Sequence, residues 1–416
     1  MPESLRAAGP GWGLTERGIK RLSELKHEPK WMLRLRLRAY EAFKRLPWLS
    51  REMPALEGLR LAELVVPPGA TGLARGRLAD SDLVERRMGE ELSRQGVAFL
   101  DLEKAFRDFP ELFRRHFGSV VRVSEDKLAA LNAALWSGGA FVYVPKGLQL
   151  ALPLQAFVRL EARRSSFEPT LVVADEGSSL LFLEGCEASA GAASLHASVV
   201  EVVALRGARV RYMTLQNWPQ GVLNLVHKRA IAHEGACVEW LDLNLGSRLT
   251  MKHPGVILAG RGARGEILSC ALARSGQEQD AGGELVFAAP ETSGRVLSRS
   301  VVRGGGRATC RVFARDRAGA REARLSVKAE ALALDSQSRF EFCPGFELAP
   351  SRVALEREAC VSRLEPERLF YLASRGLREK EAQALLVQGF FEPFSRELPL
   401  EYSVEFLRLV QLGLED

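Results

Sequence analysis

The residues of widest chemical range in this chain of 416 are its six cysteines, Cys186, Cys237, Cys270, Cys310, Cys343 and Cys360. A thiolate is a nucleophile and a ligand for zinc or iron–sulfur clusters. These thiols lie far apart and form no CxxC pair, so the spacing offers no local zinc or iron–sulfur ligand set. Most are expected to be buried apolar fillers, and disulfides are not expected. The most suggestive polar cluster is Glu356-Arg357-Glu358, with Cys360 two residues on. Composition alone favours surface ion pairs set on a last strand. The six histidines are dispersed, and His196, His227 and His253 are expected to be hydrogen-bonded structural groups. Gly260-Arg261-Gly262-Ala263-Arg264-Gly265 matches GxGxxG, but Glu266-Ile267-Leu268 continues as strand. No helix N-terminus would therefore face a pyrophosphate, and the glycines read as a corner. Gly304-Gly305-Gly306-Arg307 lacks the Gly-Lys-Ser/Thr of a phosphate-binding loop, so ATP hydrolysis is not expected of this chain. The sequence contains no HExxH or GxSxG motif.

The elements that must position these residues announce themselves as a repeat between about residues 171 and 334. A Gly-containing polar turn precedes an alternating apolar run: Glu176-Gly177 before 179–183, Arg206-Gly207-Ala208 before 210–213, and Glu234-Gly235-Ala236 before 238–241. The turn returns at Gly262, Gly294 and Gly319, so the steps from Gly177 onward are 30, 28, 27, 32 and 25 residues. A unit of this length holds two or three short strands and cannot cover its own apolar face, so coils must stack into a β-solenoid with glycine corners. A β-sandwich is the poorer reading, because its turns recur roughly every 8–12 residues and do not repeat their own sequence.

Around this core the period is helical. Residues 16–45 read as one or two amphipathic helices ended by Pro47, residues 50–80 as a Pro/Gly-rich connector, and residues 82–95, 102–116 and 125–136 as helices. A strand at 140–144 follows, and the β-rich region continues from 152–160. After about residue 355 the period returns to 3.6, with helices at 366–374, 379–388 and 399–412 forming a cap that protects the open end of the stack or docks a partner. The expected divisions are a helical region at 1–139, a mainly β solenoid at 140–360 and a helical region at 361–416. Hydrophobic residues at 46%, charged residues at 26% and a net charge of +6 describe an ordinary soluble protein. Its arginines are scattered rather than blocked, which points away from nucleic acid. No apolar run reaches the ~18 residues of a membrane span and no signal-peptide core is present, so a cytoplasmic protein is expected.

Several segments together resemble the SufB subunit of the SUF iron–sulfur cluster assembly machinery, in the SufB/SufD family. They are Pro29-Lys30-Trp31-Met32-Leu33 with Arg38-Ala39-Tyr40, Trp136-Ser137-Gly138-Gly139 with Tyr143-Val144-Pro145-Lys146-Gly147, and Ala174-Asp175-Glu176-Gly177-Ser178-Ser179. Leu183-Glu184-Gly185-Cys186, 195–201 and Gln216-Asn217-Trp218 belong with them, as do 389–394 and 397–402. The Glu-Gly-Cys and Gln-Asn-Trp segments are closer to SufB than to its paralogue SufD.

The resemblance implies a right-handed parallel β-helix core with helical N- and C-terminal regions. It implies a C-terminal region that binds a SufC-type ABC ATPase, with Leu369, Phe370, Leu385, Phe390, Phe391 and Pro393 as the contacts. It further implies a β-helix partner, either SufD-like or a second copy, a cysteine desulfurase or sulfur-transfer protein as donor, and no nucleic acid or membrane. The implied cargo is a transient iron–sulfur cluster, with no cofactor resident on the isolated chain. Cys186 matches the family's sulfur-accepting cysteine. Two departures touch the cluster site. Ala329 in Ala329-Glu330-Ala331 stands where the family carries a thiol, and Arg357 replaces a histidine and cannot ligate metal. Glu356 and Glu358 are kept, and Cys343 and Cys360 are candidates to replace the lost thiol, with Glu358 and Cys360 the expected iron ligands. Two functions follow: an assembly scaffold without ATPase activity of its own, or a SufD-like structural subunit that carries no cluster.

Overall fold

The computed structural model describes residues 14–47, 74–75, 91–160, 165–188 and 194–415. The connector expected at 50–80, a two-residue strand apart, and most of the helix expected at 82–95 lie outside these residues.

The repeat folds as a parallel β-solenoid of about seven turns, in which each coil contributes one strand to each of two facing sheets. Strands are numbered along the chain. The first sheet contains β1 (Ala74–Arg75), β4 (Leu154–Leu160), β6 (Ser179–Ala188), β8 (Arg209–Gln216), β10 (Cys237–Asn244), β13 (Arg264–Ala273), β15 (Ser293–Val302), β17 (Ala323–Ala333) and β19 (Val353–Arg363), in that order. The second contains β2 (Ala98–Asp101), β3 (Ala140–Val144), β5 (Ser166–Ala174), β7 (Ser194–Ala204) and β9 (Val222–Ala232). It continues through β11 (Leu249–Lys252) with β12 (Gly255–Leu258), then β14 (Glu278–Phe287), β16 (Arg307–Asp316) and β18 (Arg339–Glu347). All ladders are parallel except β1 with β4 and β2 with β3.

A column of left-handed corners sets the coil length. Gly147, Gly177, Gly207, Gly235 and Gly262 have φ between 64° and 73°, and each amide donates to the carbonyl just before the equivalent residue of the next coil. The column then continues through Glu291 (φ 58°) and Glu322 (φ 52°), not through Gly294 and Gly319 as the spacing suggests. Gly294 sits inside β15, where a Cβ would meet Leu285 and Phe287. Two later coils thus accept strain at the corner that glycine avoids.

Helices cover the outer faces of both sheets. On the second sheet lie α1 (Glu16–Leu25), α2 (Lys30–Arg45), α3 (Leu102–Asp108), α4 (Pro110–His116) and α5 (Lys127–Leu135). Their core joins Phe106, Phe113 and Leu131 to the outward Leu171, Leu195, Val203, Leu223 and Leu249. The strands beneath them, β5 and β7, are therefore buried on both faces and carry near-continuous apolar runs. The helix expected at 102–116 breaks at Phe109, because the residue before Pro110 is driven out of the helical region.

On the first sheet lie α6 (Pro366–Ser374), α7 (Glu379–Ser395) and α8 (Leu400–Glu415). Phe391, Phe394, Phe406 and Val410 pack on the outward Leu243, Cys270, Leu272 and Leu297. The C-terminal helices thus clothe a flank of the solenoid and leave its last coil, β18 and β19, open. This corrects the expectation of a cap over the end of the stack. Helix α7 also runs past residue 388 to Ser395, with Pro393 inside its last turn. Among the described residues no helix is long and apolar enough to cross a membrane.

Candidate functional site

The interior of the solenoid changes character along each strand. Next to the glycine corners the inward rows are apolar: Val172 and Ala174 on β5, Leu180 and Phe182 on β6, Val202 and Ala204 on β7, Val238 and Trp240 on β10. Toward the opposite edge the same rows turn polar and charged while staying buried, with Glu168, Glu184, His196, Ser198, Thr214, Gln216, Lys228, Asp242 and Lys252. Period-2 alternation places all of these inside, so β4 to β14 enclose a charged chamber.

Cys186 is on the wall of that chamber, half-buried beside Val158, Trp218 and Val222. Lys228 donates to Asp242 Oδ1 at 2.5 Å, and Lys252 Nζ stands 3.3 Å from the same oxygen. Tyr212 donates its hydroxyl hydrogen to Glu184 at 2.8 Å, and Ser166 donates to Glu168 at 2.6 Å. His196 Nδ1 meets Asn224 at 2.7 Å, and Asn224 donates to Gln216 at 3.0 Å. Among the described residues His196 Nε2, Trp218 Nε1, Asp242 Oδ2, Asn244 Oδ1 and Gln279 Oε1 find no protein hydrogen-bond partner, so the chamber wall keeps capacity for a polar guest.

Burial shapes the proton affinities here. It raises the Cys186 thiol well above its ordinary range, with Glu184 adding to the rise and Lys252 and Lys228 opposing it. Burial also lifts Glu168 to about 7. Asp242 is pushed up by burial, but the two ammonium groups outweigh that and hold it low. Lys252 is lowered by burial despite Asp242.

The other candidate ligands lie at the far end. Cys186 is on β6 and Cys360 on β19, six strand spacings or ~29 Å apart. Glu356, Glu358 and Cys360 alternate along β19 and share its outer face, exposed, with Glu358 3.3 Å from Lys328. Cys343 sits on β18 in the other sheet, opposite Arg311 in the register, so it faces outward on the opposite side of the coil. Arg357 turns inward over the Phe346 ring, 5.9 Å from its centroid. Ala329 is fully buried and inward, on the ladder that runs from Glu184 through Thr214, Asp242, Ser269 and Ser298. The structure therefore gathers Glu356, Glu358 and Cys360 on one face and separates them from Cys343 and Cys186. Among the described residues no three His, Cys, Asp or Glu side chains stand close enough to hold a metal ion.

Of the expected partner contacts, Phe370 is 76% exposed and Leu385 49% exposed, while Phe391 is fully buried. Leu369 and Pro393 are half-buried, and the Phe390 ring lies 5.0 Å from the Arg299 guanidinium. No residue of α6 is buried. The histidines sit as expected: His196 on Asn224, His227 on Asp126 and His253 on Asp280 at 2.8 Å. Sequence reasoning missed the chamber itself, namely Glu168, Glu184, Lys228, Asp242 and Lys252. The available signal was a charged residue at an inward position of an otherwise apolar alternation.

Comparison with known proteins shows the family. Residues 157–390 match the family described as SUF system FeS cluster assembly, SufBD core domain, and residues 79–156 match the SufBD protein N-terminal region. An iron–sulfur cluster assembly SufBD family protein of Staphylococcus epidermidis is 41% identical, over 97% of this chain and 93% of its own length. Similar proteins of Staphylococcus haemolyticus and Staphylococcus aureus, with the same description, are 41% and 40% identical over the same shares.

Proposed function

Because the chain belongs to the SufBD family of the SUF iron–sulfur cluster assembly system, we propose that it is a SufB-like scaffold subunit that accepts sulfur at Cys186 and passes it toward a nascent cluster. The observation that carries this is the setting of Cys186. Cys270 and Cys310 are buried among apolar side chains, Cys237 faces outward, and Cys343 and Cys360 stand on the last coil. Among them Cys186 alone lines the charged chamber, where burial and Glu184 raise the thiol and the two ammonium groups of Lys252 and Lys228 oppose that rise. The cluster under construction would sit on the outer face of β19, held by Glu358 and Cys360 with Glu356 nearby, and completed by ligands from a partner edge. A SufC-type ATPase would dock on the exposed α6 and α7 through Phe370 and Leu385. A SufD-like β-helix or a second copy would pair with the open coil, and a cysteine desulfurase would supply the sulfur in the cytoplasm.

Anaerobic reconstitution with the ATPase, a desulfurase, cysteine and ferrous iron tests the scaffold. Cluster absorbance with stoichiometric iron and sulfide is expected, and its loss in Cys186→Ala; a complex that never gains either removes the proposal. A second reading has its own support in Ala329, an inward methyl with no ligand chemistry: the chain is a SufD-like structural subunit. Cluster formation undiminished in a Cys186→Ala, Cys343→Ala, Cys360→Ala triple variant favours that reading.

A further inference from the structure

Resting on the reading of Cys186 as sulfur acceptor, we propose that Glu168 is the base that takes the Cys186 proton during sulfur transfer. The topology places the two groups face to face. β5 and β6 are the strands of one coil; Glu168 lies nine residues before the corner at Gly177 and Cys186 nine residues after it. Both occupy inward rows, Glu168 with Thr170 and Val172, Cys186 with Glu184 and Phe182. The sheets are ~10 Å apart, a gap that a glutamate and a cysteine side chain together largely span.

The neighbours leave Glu168 free for the task. From the other strands the chamber presents Glu184, His196, Tyr212 and the Lys228–Asp242–Lys252 cluster. Glu184 is held by Tyr212, and both lysines are committed to Asp242. Among the described residues the Glu168 carboxylate receives only the Ser166 hydroxyl, at 2.6 Å. Its proton affinity, set near neutrality by burial, suits a base working at physiological pH, whereas Asp242 is held too low.

The step balances with a persulfide donor, RSSH. The Cys186 S–H pair forms the new S–S bond to the donor's outer sulfur as the thiol proton moves to the Glu168 carboxylate. The donor S–S bond breaks and its electron pair leaves with RS⁻. The products are Cys186–SSH, RS⁻ and protonated Glu168, which returns its proton to solvent or to the leaving thiolate.

The test is single-turnover transfer from cysteine persulfide to the full chain, with the label at Cys186 counted by mass spectrometry across about pH 5.5 to about 9. The wild-type rate should climb through neutral pH. Glu168→Gln should slow it about 100-fold at neutral pH and erase the neutral midpoint, leaving only the rise from direct thiol ionisation. Ser166→Ala keeps the carboxylate but removes its donor, so the midpoint should move upward. Label that survives in Cys186→Ala removes the acceptor reading and this inference with it. Label lost in Cys186→Ala but unchanged in rate and profile in Glu168→Gln overturns the inference alone. Should Glu168→Gln fail to fold, an unmoved midpoint in Ser166→Ala overturns it.

Discussion

Neutralising Asp242 should be among the most costly single changes in the molecule. Its carboxylate takes contacts at 2.5 Å from Lys228 and 3.3 Å from Lys252, with all three side chains about 1% exposed. At an effective dielectric of about 20 the shorter contact alone is worth roughly 7 kcal/mol of attraction. That attraction is spent mostly on desolvation, so the assembled cluster adds little net stability. Removing only the negative charge is different, because two ammonium groups are then left facing each other inside the solenoid. Asp242→Asn, nearly isosteric, should therefore destabilise by about 3–5 kcal/mol. Replacing both lysines with Met in the Asp242→Asn background should recover most of the loss. Equilibrium urea unfolding followed by circular dichroism measures both. A loss below about 1 kcal/mol in Asp242→Asn would refute the reasoning, since it would mean that water or a relaxed chamber screens the lysines.

Glu168 gives a stability prediction of definite sign. Its folded pKa of about 7 lies above the ordinary 4.5, so its stabilising contribution is full below about pH 4.5 and is lost as pH rises through about 7. The stability of wild type relative to Glu168→Gln should fall by about 3 kcal/mol over that window in urea titrations; a constant difference would sink the idea. Glu291→Gly, at a corner with φ 58°, should raise stability by about 0.5–1 kcal/mol, read as a higher melting temperature, because its exposed pair with Arg261 contributes little. Phe391→Ala should cost about 3–5 kcal/mol, whereas Phe370→Ala should change stability by less than about 0.5 kcal/mol and, on the docking proposal, weaken co-purification with the ATPase.

The coil length was legible because a left-handed corner nearly demands glycine, and five corners of the column have one. Glu291 and Glu322 hid the rest, since nothing in their type signals positive φ, and the nearby Gly294 and Gly319 drew the reading away. The position of the C-terminal helices was not legible. Their apolar stripes require a surface, but only the outward row Leu243, Cys270, Leu272 and Leu297 shows that the surface is a flank and not the end. The site divided in the same way. Cys186 stood out by resemblance, while its charged surroundings come from strands as distant as β5 and β11 and meet only after stacking. Cys343 and Cys360 illustrate the converse. Strands of one coil are neighbours, but residues on their outer faces point away from each other.

The open last coil carries a requirement of its own. Edge strands invite pairing, and β19 moderates this with charges: Glu356 and Glu358 on the outer face, Arg357 on the inner. If two copies paired through this edge, an antiparallel register bringing both Cys360 thiols into one ligand sphere would crowd four carboxylates onto one face. Lys328 relieves only part of that, through one contact at 3.3 Å per copy. Opposed like charges on paired strands cost up to about 1 kcal/mol each, so self-association through β19 should be weak until a cation is supplied. Sedimentation of the chain without oxygen, with and without ferrous iron, checks this. Dimerisation should strengthen at least about tenfold with iron and should lose that response in Glu356→Gln, Glu358→Gln. Equal dimerisation without iron would mean that the carboxylates do not oppose one another, and that the edge pairs in some other register.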